Sequence, residues 1–341
     1  MVVSSYADLT DFFRVMVRAR KNQPTLVCYL DGLGYGLYQY AVQKGMLPFL
    51  ANHFWMCEIK TVKPSLTNPA MATMITGVLP TKHGILSRKD HQSAVPTIFA
   101  DEIYREVSAI IEGDSVIVET EIFPRLHSAV RGKNIDQLIF EGAKEAIKEH
   151  KRFIFTHFHG IDDAEHDYGP YAKEVLWRLG EMDEYIHTLS DMWQGNFLII
   201  SDHGMHTEGN GGNHGTDLEE DIIVPFGIRM KKKKYEIQKK SNGKEVYIKK
   251  YEGYDVKEIL KYDMDFENSY KQVIFYSEDG FAVACSYYEV ESGGNVLLIA
   301  MTDESNSNKC AIKKKDVYRL IIVSDKTSRR WCKNIIKIEI K

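Results

Sequence analysis

Three short apolar runs each lead to an aspartate, and this pattern narrows the fold more than any other feature of the chain. Thr25-Leu-Val-Cys-Tyr-Leu30 runs into Asp31, Phe153-Ile-Phe-Thr-His-Phe158 leads to Asp162, and Phe197-Leu-Ile-Ile200 stops before Asp202-His203. Unbroken apolar runs of this length mark buried strands. Helical periods separate them, clearest in Val175, Leu179, Met182, Ile186 and Leu189, with further helices expected over 6–19, 36–52, 97–107 and 134–149. Strand–helix–strand alternation predicts an α/β fold, a mostly parallel sheet with helices on both faces. Such sheets bind ligands at the carboxyl ends of their strands, so the three acids are expected along one edge.

Histidines accompany the acids. His203 follows Asp202, His166 stands one helical turn beyond Asp162, and a glycine-rich loop, Gly211-Gly-Asn-His-Gly215, returns His214 to the same end. Carboxylate and imidazole donors crowded at strand ends are the ligand set of Zn²⁺ or a similar divalent metal. As ordinary structure, Asp202 would cap a turn and the histidines would be loop residues. Asn68-Pro69 resembles a helix start, with Asn68 as N-cap, and places Thr67 where free N–H groups favour a phosphate or an oxyanion. Thr67 would equally serve as part of the cap. Six ligands divide into two three-ligand sites, each with an open position.

Composition removes other classes. A net charge of -4 argues against a nucleic-acid binder working through a positive field. Five scattered cysteines without CxxC spacing oppose a disulfide framework or zinc knuckle and favour a reducing interior. No window approaches a membrane span and the N-terminus lacks a leader pattern, so a cytoplasmic protein without membrane attachment is expected. Cys57–Val62 and Ile222–Phe226 are expected strands, the latter near an edge or a strand end because of Pro225. Lys231–Lys234 is expected to be a solvated segment at an insertion or boundary. Beyond residue 264 the texture changes to short β-rich runs between turn residues, which suggests a catalytic domain over 1–264 and a smaller β-rich region over 265–341.

Taken in order, Leu30-Asp31-Gly32, Pro64-Ser-Leu-Thr-Asn-Pro69, Thr76-Gly77 through His83-Gly84-Ile85, Asp162-x-x-x-His166-x-x-Gly169, Ser201-Asp-His-Gly-Met205 and Asn213-His-Gly215 resemble the alkaline phosphatase superfamily. The nearest branch is the type I phosphodiesterase/nucleotide pyrophosphatase group, with phosphonoacetate hydrolase as a relative, and the likeness covers roughly residues 25–228. It implies an alkaline-phosphatase-like core and two divalent metals, most simply Zn²⁺ with Mn²⁺ as the alternative. By motif, Asp31, Asp202 and His203 would form one metal site together with Thr67, and Asp162, His166 and His214 the other. Thr67 matches the nucleophile, giving a phospho-threonine type intermediate. The pattern departs at Ala70, where nucleotide pyrophosphatases carry an asparagine that contacts the phosphoryl oxygen; Asn68 resembles the phosphonoacetate hydrolase arrangement and would partly substitute. Sulfatases are disfavoured, because the nucleophile segment holds no Cys/Ser-x-Pro-x-Arg motif.

The resemblance implies hydrolysis of phosphodiester or pyrophosphate bonds in a small phosphoester or nucleotide. Phosphomonoester hydrolysis or phosphonate C–P cleavage on the same site is the alternative, and a non-catalytic binding protein is a more distant one. His83, His157, His159, His206, Asp163, Glu165 and Asp167 are expected to support the site rather than to ligate, and Tyr35 and Tyr38 to pack.

Overall fold

The computed structural model describes residues 24–128, 134–230, 233–241, 244–260, 270–301, 317–325 and 327–341. The helix expected over 6–19, and Lys231–Lys232 of the charge run, lie outside the described residues. Contacts divide the chain into two compact units at Arg229/Met230, earlier than the boundary expected near residue 264.

The first unit is built on a seven-stranded sheet. Its strands are β1 (Thr25–Leu30), β2 (Phe54–Lys60), β3 (Ser108–Glu112), β4 (Arg125–Leu126), β5 (Phe153–Phe158), β6 (Asn196–Ile200) and β9 (Ile223–Arg229), in the order β2-β9-β6-β1-β5-β3-β4. A small hairpin, β7 (His206–Glu208) with β8 (Gly211–Asn213), stands apart from it. All pairings from β6 to β4 are parallel, and β9 runs antiparallel to both its neighbours. β1 is central and buried at every residue, which is why its sequence never alternates. Its register decides where the acids go. Leu30 pairs with Phe158 and Tyr29 with Ile200, so the segments carrying Asp31, His159 and Asp202 leave the sheet side by side.

Helices cover both faces. On one, α4 (Ile135–Lys148) and α6 (Lys173–Met192) set Ile139, Phe140, Ala143, Leu179, Met182 and Ile186 against Leu26, Cys28, Ile154 and Phe197. On the other, the rings of Phe99 and Tyr104 meet Phe153 at 5.9 and 5.6 Å. α4 starts where Asn134 caps it, its side chain accepting from Gln137 N at 2.7 Å. The single helix expected over 36–52 is two, α1 (Tyr35–Gln43) and α2 (Pro48–His53). Gly45 takes a positive φ of 72° between them, and Pro48 begins the second. The strand expected at Cys57–Val62 begins earlier, at Phe54. Pro225 lies in an internal strand, but just beyond Phe226, the last residue that pairs with β6, so its missing N–H breaks no bond on that side.

Two further helices belong to the site: α3 (Thr67–Thr76) and α5 (Gly160–Tyr168). α3 is buried along its whole length and ends at Gly77 in a left-handed conformation. Its N-cap is Leu66, not Asn68, because Ala70 N already bonds Leu66 O at 3.1 Å. Thr67 is therefore the first helical residue.

The second unit is a separate antiparallel sheet. It joins β10 (Lys233–Ser241), β11 (Lys244–Asp255), β12 (Gln272–Ser277), β13 (Ala282–Ser286), β14 (Val296–Met301), β15 (Val317–Ile322) and β16 (Ile335–Ile340) in the order β10-β11-β14-β15-β16-β12-β13. Val273, Phe275 and Ser277 alternate inward along β12, the period-2 pattern of a strand with one buried face. Lys233 and Lys234 are exposed, as expected of a solvated segment near a boundary, and open the long β10–β11 hairpin just after the division between the units. Among the described residues no helix is long and apolar enough to cross a membrane.

Candidate metal centre

Asp31 leaves β1 into Gly32, whose φ is +81° and whose N–H donates to Asp202 Oδ1 at 3.1 Å. A Cβ on Gly32 would lie 2.9 Å from Asp162 Cα and 2.9 Å from Glu165 Oε2. Glycine at this turn is thus what lets α5 close on the end of β1. Asp162 stands in the first turn of α5 and His166 one turn on, with Nε2 3.4 Å from Asp162 Oδ2. The β7–β8 hairpin returns the chain so that His214 Nε2 comes within 3.8 Å of Asp162 Oδ1, and its ring stacks on that of His203 at 3.5 Å.

His203 is the hub. Its Nε2 is 3.4 Å from Asp31 Oδ1, 3.2 Å from Asp202 Oδ2 and 3.3 Å from Thr67 Oγ1. All seven residues expected to ligate are therefore brought to one edge of the sheet. The donor atoms of five of them form two compact sets, Asp31–Asp202–His203 and Asp162–His203–His214, each with its ligand atoms within 4.8 Å of one another; His166, expected to ligate with Asp162 and His214, belongs to neither set. His203 belongs to both, so the division into separate triads expected from sequence is less sharp in space. A third set, Asp31–His157–His159, adds two histidines expected only to support. His157 Nε2 lies 3.0 Å from Asp31 Oδ2, and His159 Nδ1 3.8 Å from the same oxygen.

The imidazole tautomers suit a cation. The Nδ1 atoms of His166, His203 and His214 sit 3.0, 3.1 and 3.0 Å from the carbonyl oxygens of Gly212, Gly204 and Ser65. A carbonyl only accepts, so each Nδ1 carries the hydrogen and each Nε2 presents a lone pair to the site. Buried polar atoms normally have partners, yet Asp31 Oδ1, Asp162 Oδ1, Asp202 Oδ2 and His166 Nε2 have no hydrogen-bond partner. These converging, unsatisfied donors fit divalent metal.

Electrostatics agree. Burial, and then the charges of Asp202 and Asp162, hold the Asp31 carboxyl well above the usual range. Burial pushes Asp162 up to about 8 and raises Asp202 as well. Burial lowers His203 and His214 to about 3, which keeps both imidazoles neutral. Several buried carboxylates around neutral imidazoles is an arrangement that a bound cation makes favourable.

Other expected residues take different places. Asn68 is engaged by neighbouring loops, its Nδ2 donating to the carbonyls of Asp90, Ile117 and Arg88 at 2.9, 3.1 and 3.3 Å. That amide thus spends its donors on backbone and has none for a phosphoryl oxygen. His83 bonds Thr73 Oγ1 at 3.0 Å, and His206 bonds Asp221 at 2.8 Å, both as supports. Glu165 is fully buried with neither carboxyl oxygen partnered, and its pKa is driven well above the usual range by burial and then by Asp162 and Asp202. One residue was not foreseen. Arg88 reaches from an exposed loop to contact His214 Nε2, and no spacing or motif in the sequence marks it.

A sequence model described as type I phosphodiesterase / nucleotide pyrophosphatase matches residues 25–130 and 87–274. Among curated proteins, the chain is similar to the catalytic subunit of human GPI ethanolamine phosphate transferase 3, 34% identical over 71 residues, or 20% of this chain and 6% of that one. Human ectonucleotide pyrophosphatase/phosphodiesterase family member 1 is 24% identical over 225 residues, covering 54% of this chain and 24% of the relative. The chain spans 6%, 15% and 14% of the length of the first three curated relatives. Among solved structures, phosphonoacetate hydrolase from Sinorhizobium meliloti 1021, in complex with phosphonoformate, aligns with a TM-score of 0.44 at 19% identity, over 54% of this chain and 56% of that one. Inactive murine ectonucleotide pyrophosphatase/phosphodiesterase 5 in complex with AMP aligns with a TM-score of 0.44 at 19% identity, over 55% and 59%. The family match takes in the whole sheet-edge site, from Asp31 through Thr67 and Asp162 to His214, and the chain belongs to the type I phosphodiesterase / nucleotide pyrophosphatase family.

Proposed function

We propose that this chain is a two-metal phosphoesterase that hydrolyses phosphodiester or pyrophosphate bonds with Thr67 as nucleophile. The observation that carries the reading is the convergence of three Nε2 lone pairs and three carboxylates beside a hydroxyl on the first residue of a buried helix. Asp31, Asp202 and His203 would hold one divalent cation beside Thr67, and Asp162, His166 and His214 the second, with zinc favoured over manganese by the mixed imidazole and carboxylate donors. Cations held there would acidify the adjacent hydroxyl and neutralise charge on the phosphoryl oxygens.

Thr67 Oγ1 gives its proton to solvent and attacks phosphorus, and the bond to the leaving oxygen breaks as the new P–O bond forms. The leaving oxygen takes a proton from water. A second water then attacks phosphorus, the Thr67 Oγ1–P bond breaks, and the hydroxyl is restored. The N-terminal position of Thr67 on α3 adds helix-end N–H groups and dipole to the stabilisation of the phosphoryl charge.

The test is turnover by metal-replete protein of bis-(p-nitrophenyl) phosphate, p-nitrophenyl phosphate, a nucleotide panel and phosphonoacetate. Metal-dependent cleavage of diesters or pyrophosphates is expected. Cleavage of phosphonoacetate alone would move the activity to C–P hydrolysis, and no turnover with zinc or manganese would overturn the enzyme reading.

A further inference from the structure

The densest run of positive charge in the chain lies away from the metal centre, in the β10–β11 hairpin of the second unit. Residues 231–250 hold nine lysines against Glu236 and Glu245, a net charge of +7. The whole chain stands at -4, so the remainder carries -11. No arginine falls in this stretch, and Tyr235, Ile237, Val246, Tyr247 and Ile248 are interleaved with the lysines.

Seven of the nine lysines fall within the two strands. The register runs from Lys233↔Gly253 to Ser241↔Lys244, with Glu236 opposite Lys250, Ile237 opposite Lys249 and Lys239 opposite Tyr247. Lysines thus stand at register positions along both strands. The ribbon is tied to its unit at one end. β11 pairs with β14 through Tyr254 and Asp255, and the Tyr251 ring meets Trp331 edge-on at 5.9 Å. Among the described residues the stretch from Lys233 to Glu252 pairs only with itself, and β10 is the outermost strand of the sheet. Lys233, Lys234, Glu236 and Glu252 are exposed there.

Like charges crowded on a narrow ribbon repel one another, and a surface of opposite charge removes that cost. Readers of nucleic acid lean on arginine, for its planar fork and its stacking on bases, whereas every cation here is a lysine, a compact point charge. Lysines interleaved with tyrosine and aliphatic residues match an anionic lipid surface. The ammonium groups gain from the headgroup charge, and tyrosine settles at headgroup level. The overall charge of -4 does not oppose this, because at physiological salt a charge acts over about 8 Å and a basic element is felt where it touches.

We propose that the β10–β11 ribbon docks the protein on an anionic lipid surface, as a peripheral attachment rather than a membrane span. The inference depends neither on the metals nor on the role of Thr67.

The experiment uses the full chain and co-sedimentation with vesicles of phosphatidylcholine, alone or with about 30% phosphatidylserine. Wild type is expected to bind only the anionic vesicles and to leave them as salt is raised. The combined variant Lys239→Gln, Lys240→Gln, Lys249→Gln and Lys250→Gln should bind about 100- to 1000-fold more weakly, a roughly fivefold share for each lysine. The matching Lys→Arg variant keeps the charge and should keep the binding. Both should unfold at the wild-type midpoint, since the exchanged positions lie beyond the part of the hairpin paired with β14. Equal affinity for phosphatidylcholine alone, undiminished binding by the Gln variant, or loss of binding in a folded Arg variant would each overturn the proposal. So would a wild type that ignores anionic vesicles but retards a mixed-sequence DNA duplex, which would make nucleic acid the partner. If wild type binds no lipid and the Gln variant self-associates in light scattering, the lysines guard free strand edges and the proposal falls. Should the Gln variant not fold, the lipid selectivity, the salt response and the Arg variant decide.

Discussion

Thr67 Oγ1 and His203 Nε2 are 3.3 Å apart, although 136 residues separate them in sequence. The first stands at the start of a buried helix and the second just beyond a central strand. Their contact places a hydroxyl against the histidine that also touches Asp31 and Asp202.

If Thr67 attacks phosphorus, Thr67→Ala should lose about 10²-fold or more in kcat, the scale typical of deleting a group that acts in the transition state. Thr67→Ser should keep substantial activity, because only the methyl is removed. Steady-state kinetics with a phosphodiester check both, alongside metal analysis, which should change little because the acids and histidines remain.

His214→Ala should abolish turnover and reduce bound metal while a cooperative unfolding transition persists, since the residue follows the short β8 strand rather than the central sheet. Elemental analysis with thermal unfolding tests this. Full metal content with near-wild-type activity would remove His214 from the ligand set.

Gly32→Ala should destabilise the protein by about 1–3 kcal/mol and weaken metal binding. The added Cβ meets Asp162 Cα at 2.9 Å in a left-handed backbone conformation, and neither backbone can yield without moving a candidate ligand. Denaturant midpoints and metal titration read the two effects.

Glu112 supplies a pH test away from the centre. Burial raises its carboxyl from the ordinary 4.5 to about 8, against one opposing hydrogen bond from Ile117 N. Between those values the folded state binds a proton that the unfolded state has released, so stability should fall as pH rises from about 4.5 to about 8. Glu112→Gln should flatten that slope in unfolding midpoints taken across the window. An unchanged slope would show that Glu112 ionises normally.

The central sheet and the gathering of the candidate ligands at its edge were legible because each rests on a local signal. Unbroken apolar runs are what a strand buried on both faces requires, and an acid at the end of such a run has few places to go but the sheet edge. His166 was legible because its spacing from Asp162 is one helical turn. The break between α1 and α2 was missed although Gly45 and Pro48 both mark it, since the apolar period carries across the turn. Asn68 was misplaced for another reason. An Asn-Pro pair looks like a cap whether or not Leu66 O has already accepted the first helical bond, and only the fold shows which carbonyls the amide meets. Arg88 was invisible because its meaning comes from a contact with His214, 126 residues away.

The central claim is that Thr67 carries the phosphoryl group during turnover, and mass spectrometry of protein quenched while cleaving a phosphodiester tests it most directly. The expected result is a phosphoryl or nucleotidyl adduct confined to the peptide containing Thr67, present with metal and absent from Thr67→Ala. No adduct at any time point, together with near-wild-type turnover by Thr67→Ala, would contradict it and assign the attack to water.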